Sequence, residues 1–147
     1  MATIKSFEDI LAWQKARILA NKIYVLINEG SFKTDFKLRD QINSASGSIM
    51  DNIAEGFERD GKREFIQFLS IAKGSAGEVR SQLYRAVDRH HITELAFNEL
   101  KEEATVISKL ISKFMSYLSE SDFKGTKYVT EPDEPYQTNI SNQDSET

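Results

Sequence analysis

Apolar residues recur every three or four positions through four stretches of the chain, which is the spacing of amphipathic helices. Short polar breaks that contain glycine or helix-capping residues separate these stretches. The pattern predicts four helices, at roughly residues 7–28, 36–59, 62–90 and 93–118. Both prolines, Pro132 and Pro135, follow the last of them. No proline in the first 118 residues therefore interrupts a long helix.

The predicted helices have recognisable ends. Gly30 is expected to end the first helix, and Asp60-Gly61 separates the second from the third. Side chains that can cap a first helical turn precede three of the helices: Ser6 with Asp9, Thr34 or Asp35, and Thr93. Each helix would be about 30 to 40 Å long. Four such helices joined by short turns predict an all-α fold, an antiparallel up-down-up-down four-helix bundle.

Charge divides the 147 residues into two unlike parts. Residues 1–118, the predicted bundle domain, hold 17 bases and 16 acids, whereas residues 119–147 hold two lysines and seven acids. The formal charge of −4 is therefore the sum of a nearly neutral body and a strongly acidic tail. The tail is polar and has no sustained apolar period, so we expect it to be largely disordered. The apolar residues of 123–129 favour packing of that short piece on the body.

Composition excludes several classes of protein. The chain has no cysteine, so it can form neither a disulfide scaffold nor a thiolate metal site, and it fits the reducing cytoplasm. Its longest apolar stretches are far shorter than the roughly 20 residues of a membrane-spanning helix. Residues 1–7 lack the apolar run of a signal peptide. We therefore expect a cytoplasmic protein without membrane contact.

Candidate catalytic chemistry is sparse. A di-iron site in a helical bundle needs two Glu-x-x-His motifs, and the chain has none. His90 and His91 are neighbours at a predicted helix junction, where we expect solvated or helix-capping side chains and no histidine near a candidate serine nucleophile. Gly74-Ser75-Ala76-Gly77 lacks the lysine and the spacing of a phosphate loop. The sequence predicts no metal, no cofactor and no enzymatic activity.

Positive charge is concentrated on the third predicted helix. Residues 59–89 hold seven bases and four acids, and at about 100° per residue Lys62, Lys73 and Arg80 fall within about 20° of one another beside the apolar stripe. A basic stripe in this position can follow a phosphate backbone. The candidate nucleic-acid-binding residues are Arg59, Lys62, Arg63, Lys73 and Arg80. The alternative is an ordinary solvated face, on which long basic side chains extend to water.

Other features of the sequence predict contacts between subunits. Asn52 and Glu55 lie beside core positions of the second helix, where a hydrogen-bonded network could set the register of a contact. Glycines on the third helix lower its helix propensity but allow another backbone to approach closely. The candidate structural or oligomer contacts are Asn52, Glu55, Gly56, Gly74 and Gly77. Apolar residues beyond the core stripes also predict a homo-oligomer, namely Ile18, Leu19, Val25, Leu26, Ile66 and Ile71.

Three motifs together resemble a known bacterial family. They are Trp13-Gln14-Lys15-Ala16, Ser48-Ile49 with Asn52-Ile53-Ala54-Glu55-Gly56-Phe57, and Phe65-Ile66-Gln67-Phe68-Leu69-Ser70-Ile71-Ala72-Lys73-Gly74-Ser75. The family comprises four-helix-bundle proteins, some encoded within intervening sequences of 23S ribosomal RNA genes, and the likeness covers roughly residues 4–118. It implies a ring-shaped homopentamer. It also suggests kinship with the accessory variability determinant of diversity-generating retroelements, a basic pentamer that binds nucleic acid and a reverse transcriptase.

The chain departs from the family pattern at two places in the bundle. Relatives often carry an arginine pair where this chain has Asn43-Ser44, and they usually read Ser-Ile-Pro where it reads Ser48-Ile49-Met50. The acidic tail also extends beyond the family's usual end, and its charge would compete with phosphate for the basic residues of the body.

The leading hypothesis is a non-enzymatic homo-oligomeric binding protein that engages RNA or a ribonucleoprotein partner through bases of the third helix, with DNA as a further candidate partner. The alternative is a protein–protein interaction or scaffold module that binds no nucleic acid. The distribution of charge over the folded molecule distinguishes the two, because a continuous basic surface favours nucleic acid.

Overall fold

A computed structural model describes residues 3–121 and 130–132. Four helices account for most of these residues: α1 (Leu11–Ile27), α2 (Phe36–Glu58), α3 (Lys62–Asp88) and α4 (Glu94–Glu120). Two short 3-10 helices, Phe7–Asp9 and Gly30–Thr34, precede α1 and α2. No β-strand occurs in this part of the chain, where one isolated bridge joins Thr3 to Thr130.

The four helices pack around one apolar core. Each helix contacts its neighbours in sequence, and α1 also contacts α4, which closes the bundle. Because the connections are short, consecutive helices run antiparallel. Phe65 packs edge-on against Phe57 and Phe114, at ring-centroid distances of 6.0 and 5.4 Å. The predicted all-α four-helix bundle is confirmed, and no helix in the described residues is both long and apolar enough to cross a membrane.

Lys22 joins α1 to α4 at the surface of the bundle. Its Nζ donates to Glu99 at 2.9 Å and to Glu103 at 3.1 Å. These hydrogen bonds, that to Glu99 first, raise the pKa of Lys22 above its ordinary value. Because 42% of the Lys22 side chain is exposed, solvent screening keeps its contribution to the free energy of unfolding small.

The predicted capping residues begin α2 and α4. Asp35 accepts a hydrogen bond from the Leu38 N–H at 3.4 Å, and Thr93 accepts one from the Ala96 N–H at 3.1 Å. Both side chains satisfy a backbone donor of the first turn that has no partner within its own helix. The helix starts expected from local sequence are therefore confirmed at these two positions.

The start of the first helix differs from the prediction. Asp9 does accept a hydrogen bond from the Ser6 N–H at 3.2 Å. That turn, however, belongs to the short 3-10 helix, because the extended backbone of Ile10 separates it from α1. The helix expected from about residue 7 begins at Leu11 instead, and the residue before it has no side-chain acceptor to cap it.

A residue in the left-handed backbone conformation follows the end of α2, and another follows the end of α3. His90 has a φ of +59°, and its N–H donates to the Val87 carbonyl at 3.0 Å, while the N–H of His91 donates to the Ala86 carbonyl at 2.9 Å. This is the hydrogen-bond pattern of a Schellman motif. At the end of α2 the left-handed residue is Asp60, with a φ of +55°, although a glycine follows it directly. The predicted break between α2 and α3 is in place.

Residues 130–132 of the predicted tail contact the bundle. The Glu131 carboxylate accepts hydrogen bonds from the Leu11 N–H at 2.7 Å and the Ala12 N–H at 3.4 Å. Within a tail that the sequence predicts to be largely disordered, these three residues are therefore ordered, and Glu131 supplies the cap that α1 lacks locally. The other parts of the predicted tail lie outside the described residues: 122–129, with the piece that we expected to pack, and 133–147.

Candidate nucleic-acid interface

One flank of α3 faces α4. Near the start of α3, the Lys62 Nζ donates to the Ser121 carbonyl at 2.8 Å. Near its end, Tyr84 packs edge-on against an α4 phenylalanine, with ring centroids 4.8 Å apart. At about 100° per residue, Lys73 and Arg80 fall on the same flank. The three bases that the sequence predicts on one stripe therefore lie together beside α4.

The facing strip of α4 carries no acid between residues 98 and 119. Its residues, at helical spacing, are polar and uncharged apart from one lysine: Asn98, Lys101, Thr105, Ser108, Ser112, Ser116 and Ser119. No carboxylate on this strip therefore screens the basic side chains of α3. We call the surface formed by this strip together with Lys73, Arg80 and Tyr84 the basic face.

Lys101 brings a third positive charge to the basic face. Its Nζ lies 5.3 Å from the ring centroid of Tyr84 and 5.6 Å from that of Phe97. Because Tyr84 packs on Phe97, the antiparallel register sets Lys101 opposite Arg80. Among the described residues, these two bases and Lys73 make no ion pair. Such unneutralised charges create a positive potential that attracts anions.

The remaining predicted binding residues lie where α2 meets α3. Arg59 forms an ion pair with Glu55 at 3.0 Å and covers the Phe68 ring at 5.3 Å. Lys62 is held by the carbonyl at the end of α4. Arg63 is exposed and makes no ion pair within the described residues. Two of these three bases thus already have partners inside the protomer.

The predicted structural or oligomer contacts have unlike surroundings. Asn52 donates from Nδ2 to the carbonyl and the hydroxyl of Ser48, both at 2.8 Å. A Cβ atom at Gly56 would lie 2.5 Å from the Cβ of an α3 phenylalanine, whereas Cβ atoms at Gly74 and Gly77 would meet nothing within 4 Å. Asn52 and Gly56 therefore contribute to the packing of the protomer. In contrast, the packing of the protomer does not require the glycines at Gly74 and Gly77.

The apolar residues expected at an interface divide into two groups. Leu19 is fully buried in the core, so its assignment to a surface is wrong, and Leu26 and Ile66 pack half-buried against the core. The buried stripe of α1 is wide enough to include Leu19 because both neighbouring helices contact it. Three of the residues remain more than half exposed: Ile18, Val25 and Ile71.

His91 lies beside a serine, contrary to the prediction. Its ring stacks on Phe32 with centroids 5.1 Å apart. Its Nε2 lies 2.8 Å from Asp35 Oδ2, and its Nδ1 lies 2.7 Å from Ser31 Oγ. The prediction of a solvated or capping side chain is wrong for His91, since residues 56 and 60 positions away in sequence enclose it.

A serine, a histidine and an aspartate joined in this order also form a catalytic triad, but here the aspartate makes hydrogen bonds that stabilise the fold. Its carboxylate also accepts from Arg89 at 3.0 Å and from the first turn of α2. These hydrogen bonds, that from His91 first, lower the pKa of Asp35. The cluster ties the start of α2 to the turn before α4. Within residues 3–121 and 130–132, no three histidine, aspartate or glutamate side chains are grouped to hold a metal ion.

The fold and the basic face define the class of protein, a small four-helix bundle with a basic surface where α3 meets α4. The family model of the 23S rRNA-intervening sequence protein matches residues 8–113, and the chain belongs to that family. The resemblance found in the three sequence motifs is thus confirmed at the level of the family.

A solved structure supports the same assignment. The chain is similar to a protein with unknown function from the S23 ribosomal protein family of Bacteroides thetaiotaomicron VPI-5482, with 26% sequence identity and a TM-score of 0.66. The likeness covers 71% of this chain and 98% of that one. No curated protein matches the chain.

Proposed function

We propose that this protein is a non-enzymatic, homo-oligomeric protein that binds RNA, alone or within a ribonucleoprotein, through the basic face. The observation that carries the proposal is that Lys73, Arg80 and Lys101 stand on adjacent helices and have no ion-pair partner among the described residues. Each of them can neutralise a phosphate and release its counterions. Hydroxyl groups of the α4 strip can hydrogen-bond to phosphate or ribose oxygens.

Tyr84 favours a ligand with unpaired bases. The residue is 47% exposed and lies beside Lys101 on the basic face, one helical turn after Arg80. An aromatic ring beside basic side chains can stack on an unpaired base. Sequence-specific recognition of RNA uses mostly such unpaired loops and bulges. We therefore expect tighter binding to a structured RNA with loops than to duplex DNA.

Membership of the family supports an RNA partner, because the family is described by 23S rRNA intervening sequences. Kinship with the accessory variability determinant, and a ring of five subunits, stay predictions from the resemblance of the motifs. A shared fold does not assign a function by itself, so the charge of the basic face has to carry the proposal. The absence of cysteine is in keeping with a cytoplasmic location.

A second candidate function is a scaffold for protein partners. Exposed apolar side chains on α1, among them Ile18 and Val25, favour it. Arg59 and Lys62 also bind other groups of the protomer, so two of the bases that the sequence assigned to nucleic-acid binding already have partners. In this case the basic face would keep the protein soluble without binding a phosphate backbone.

Binding at two salt concentrations tests the proposed function. Filter binding of a structured RNA and of duplex DNA is measured at about 50 and 200 mM salt. If the three bases neutralise three phosphates, the affinity should fall by about 20- to 40-fold between these concentrations. The absence of binding at the lower concentration would overturn the proposal and leave the scaffold function.

Charge reversal on the basic face identifies the binding surface. The double variant Lys73→Glu/Arg80→Glu should bind the RNA at least tenfold more weakly and keep its helical circular dichroism. The matched control is Lys33→Glu/Lys37→Glu, which makes the same change of charge at exposed positions outside the basic face. Equal affinities of the two double variants would show that the basic face is not the binding surface.

A further inference from the structure

A polar groove runs between α2 and α3 on the side of α3 away from the basic face. Its volume is about 660 Å³, and its lining includes the small residues Ala45, Ser48 and Ser75. Ser75 donates to the Ser48 hydroxyl at 3.0 Å, which joins the two helices at this point. A second hollow continues along α2 and includes Gly47. Small side chains thus leave an open channel along the contact of two helices.

Gln82 leaves an unpaired acceptor in this groove. Its side chain lines the groove, and the residue is only 9% exposed. Within the described residues no donor reaches its Oε1 atom, which is buried. A buried polar atom without a hydrogen bond is unfavourable, and such atoms are rare in native proteins. The isolated protomer therefore leaves a buried acceptor unsatisfied beside this groove.

Glycines near the groove point to a close approach by another molecule. Gly47 and Gly74 stand inside helices, where glycine is less favourable than alanine. A Cβ atom at either position would meet nothing within 4 Å, so packing of the protomer does not require them. Gly56 is the opposite case, because a Cβ atom there would collide with α3. Glycines such as Gly47 and Gly74, which the packing of the protomer does not require, are expected where the backbone of a second molecule packs closely.

The groove is acidic. Its rim carries Asp40 and Glu78, and the adjoining hollow carries Asp51 and Glu55. Arg39 pairs with Asp40 at 3.7 Å, and Arg59 pairs with Glu55 at 3.0 Å. Glu78 and Asp51 make no ion pair within the described residues, and Arg85, the one base that lines the groove, donates to the Gln41 side chain at 3.1 Å. The groove therefore fits a surface that carries positive charge and no acid.

The outward surface of α1 carries positive charge and no acid. It is formed by six exposed residues on the side opposite the buried stripe, and we call it the α1 outer face: Gln14, Arg17, Ile18, Asn21, Tyr24 and Val25. No residue of α1 is acidic. Three large apolar side chains of this face, Ile18, Tyr24 and Val25, are 51% to 61% exposed. Exposed apolar patches of this kind mark interfaces.

We propose that the α2–α3 groove of one copy receives the α1 outer face of a second copy. The inference rests on the proposed homo-oligomer and names its contact surface. Arg17 would meet the acidic rim at Glu78, and donors of the second copy would complete the site at Gln82. Because the two surfaces differ, the contact is heterologous and produces a closed ring or an open filament. The basic face takes no part in it and stays free for RNA.

Single and paired charge reversals test the contact, with the mass in solution measured by light scattering at micromolar concentration. Glu78→Arg and Arg17→Glu should each weaken assembly about tenfold or more, because each places like charges at the contact. The double variant Glu78→Arg/Arg17→Glu should restore the mass, since every contact again joins opposite charges. Asp88→Arg is the matched control, an exposed acid of α3 that does not line the groove. It should leave the mass unchanged.

The outcomes separate this contact from the proposed function. A wild-type protein that is a monomer would overturn the homo-oligomer and this contact together. An oligomer whose mass neither single variant changes would overturn the contact alone. Dissociation by both single variants without recovery in the double variant would show that Arg17 and Glu78 do not face each other, and would overturn the pairing. RNA binding by the basic face is measured separately, so its failure leaves these results interpretable.

Discussion

Two glycines in helix interiors have opposite roles at the scale of single residues. Gly56 lies in the contact of α2 with α3, where a Cβ atom would lie 2.5 Å from one phenylalanine and 3.1 Å from the ring of another. Gly77 lies in open space. Residue type and helical position do not distinguish the two, because the difference depends on what the neighbouring helix presents.

Replacement of each glycine by alanine should therefore change stability in opposite directions. Gly56→Ala should lower the free energy of unfolding by about 1 to 3 kcal/mol, because overpacking outweighs the gain in helix propensity. The matched variant Gly77→Ala should raise it by up to about 1 kcal/mol. Urea unfolding followed by circular dichroism measures both. Equal effects of the two substitutions would contradict the packing described at Gly56.

Asp35 connects stability to pH. The carboxylate accepts hydrogen bonds from His91, from Arg89 and from the N–H of Leu38. Because these bonds lower its pKa in the folded protein, the folded state is favoured when the group is ionised. That contribution is fully present above the ordinary aspartate pKa of about 3.9 and is lost as the pH falls through the lowered value.

Asp35→Asn should remove this dependence on pH. We expect the variant to be less stable at pH 7 by about 1 to 2 kcal/mol, because the asparagine keeps a cap but loses the charge-assisted bonds. The difference from wild type should shrink as the pH is lowered from 5 towards 2, as measured by urea unfolding. Asp88→Asn, at an exposed position, is the control. A constant difference across this range would contradict the assignment.

At the scale of the element, the helices follow local sequence except at one end of α1. The stretches that the apolar period predicts contain α1, α2 and α3 and all but the last two residues of α4, and the caps at Asp35 and Thr93 are confirmed. The start of α1 is different because its cap, Glu131, comes from the other end of the chain. Local sequence has no signal for a capping residue that is 120 positions away.

Glu131 should stabilise the first turn of α1. Its carboxylate binds the Leu11 and Ala12 N–H groups, and the neighbouring Thr130 hydroxyl bonds that of Tyr117. Glu131→Ala should cost about 1 kcal/mol, because it removes both a cap and a negative charge at a helix N-terminus. Faster hydrogen exchange at the Leu11 and Ala12 amides would locate the effect.

A control substitution shows whether that effect is specific. Glu120→Ala changes an exposed acid at the end of α4 and should leave the exchange of the α1 amides unchanged. If Glu131→Ala also leaves their exchange unchanged, residues 130–132 do not hold the start of α1 in solution.

At the scale of the whole molecule, positive and negative charges lie on different surfaces of the bundle. The body is nearly neutral in total, yet the basic face has no acid on the α4 strip and the α2–α3 groove has four acids on its lining and adjoining hollow. The sequence predicted the α3 side of the basic face because Lys73 and Arg80 share a helical stripe. It missed Lys101, although the regular spacing of polar residues on α4 carried a signal of that face.

The sequence by itself determined the number, approximate extent and antiparallel order of the helices, together with the family. These properties follow from local periodicity, capping residues and short connections, all of which are read within a few turns of the chain. Only the tertiary structure decided that Lys101 contacts Tyr84, that His91 joins Ser31 to Asp35, and that Glu131 caps α1. These contacts join residues that are distant in sequence, so they exist only once the helices pack in a particular register.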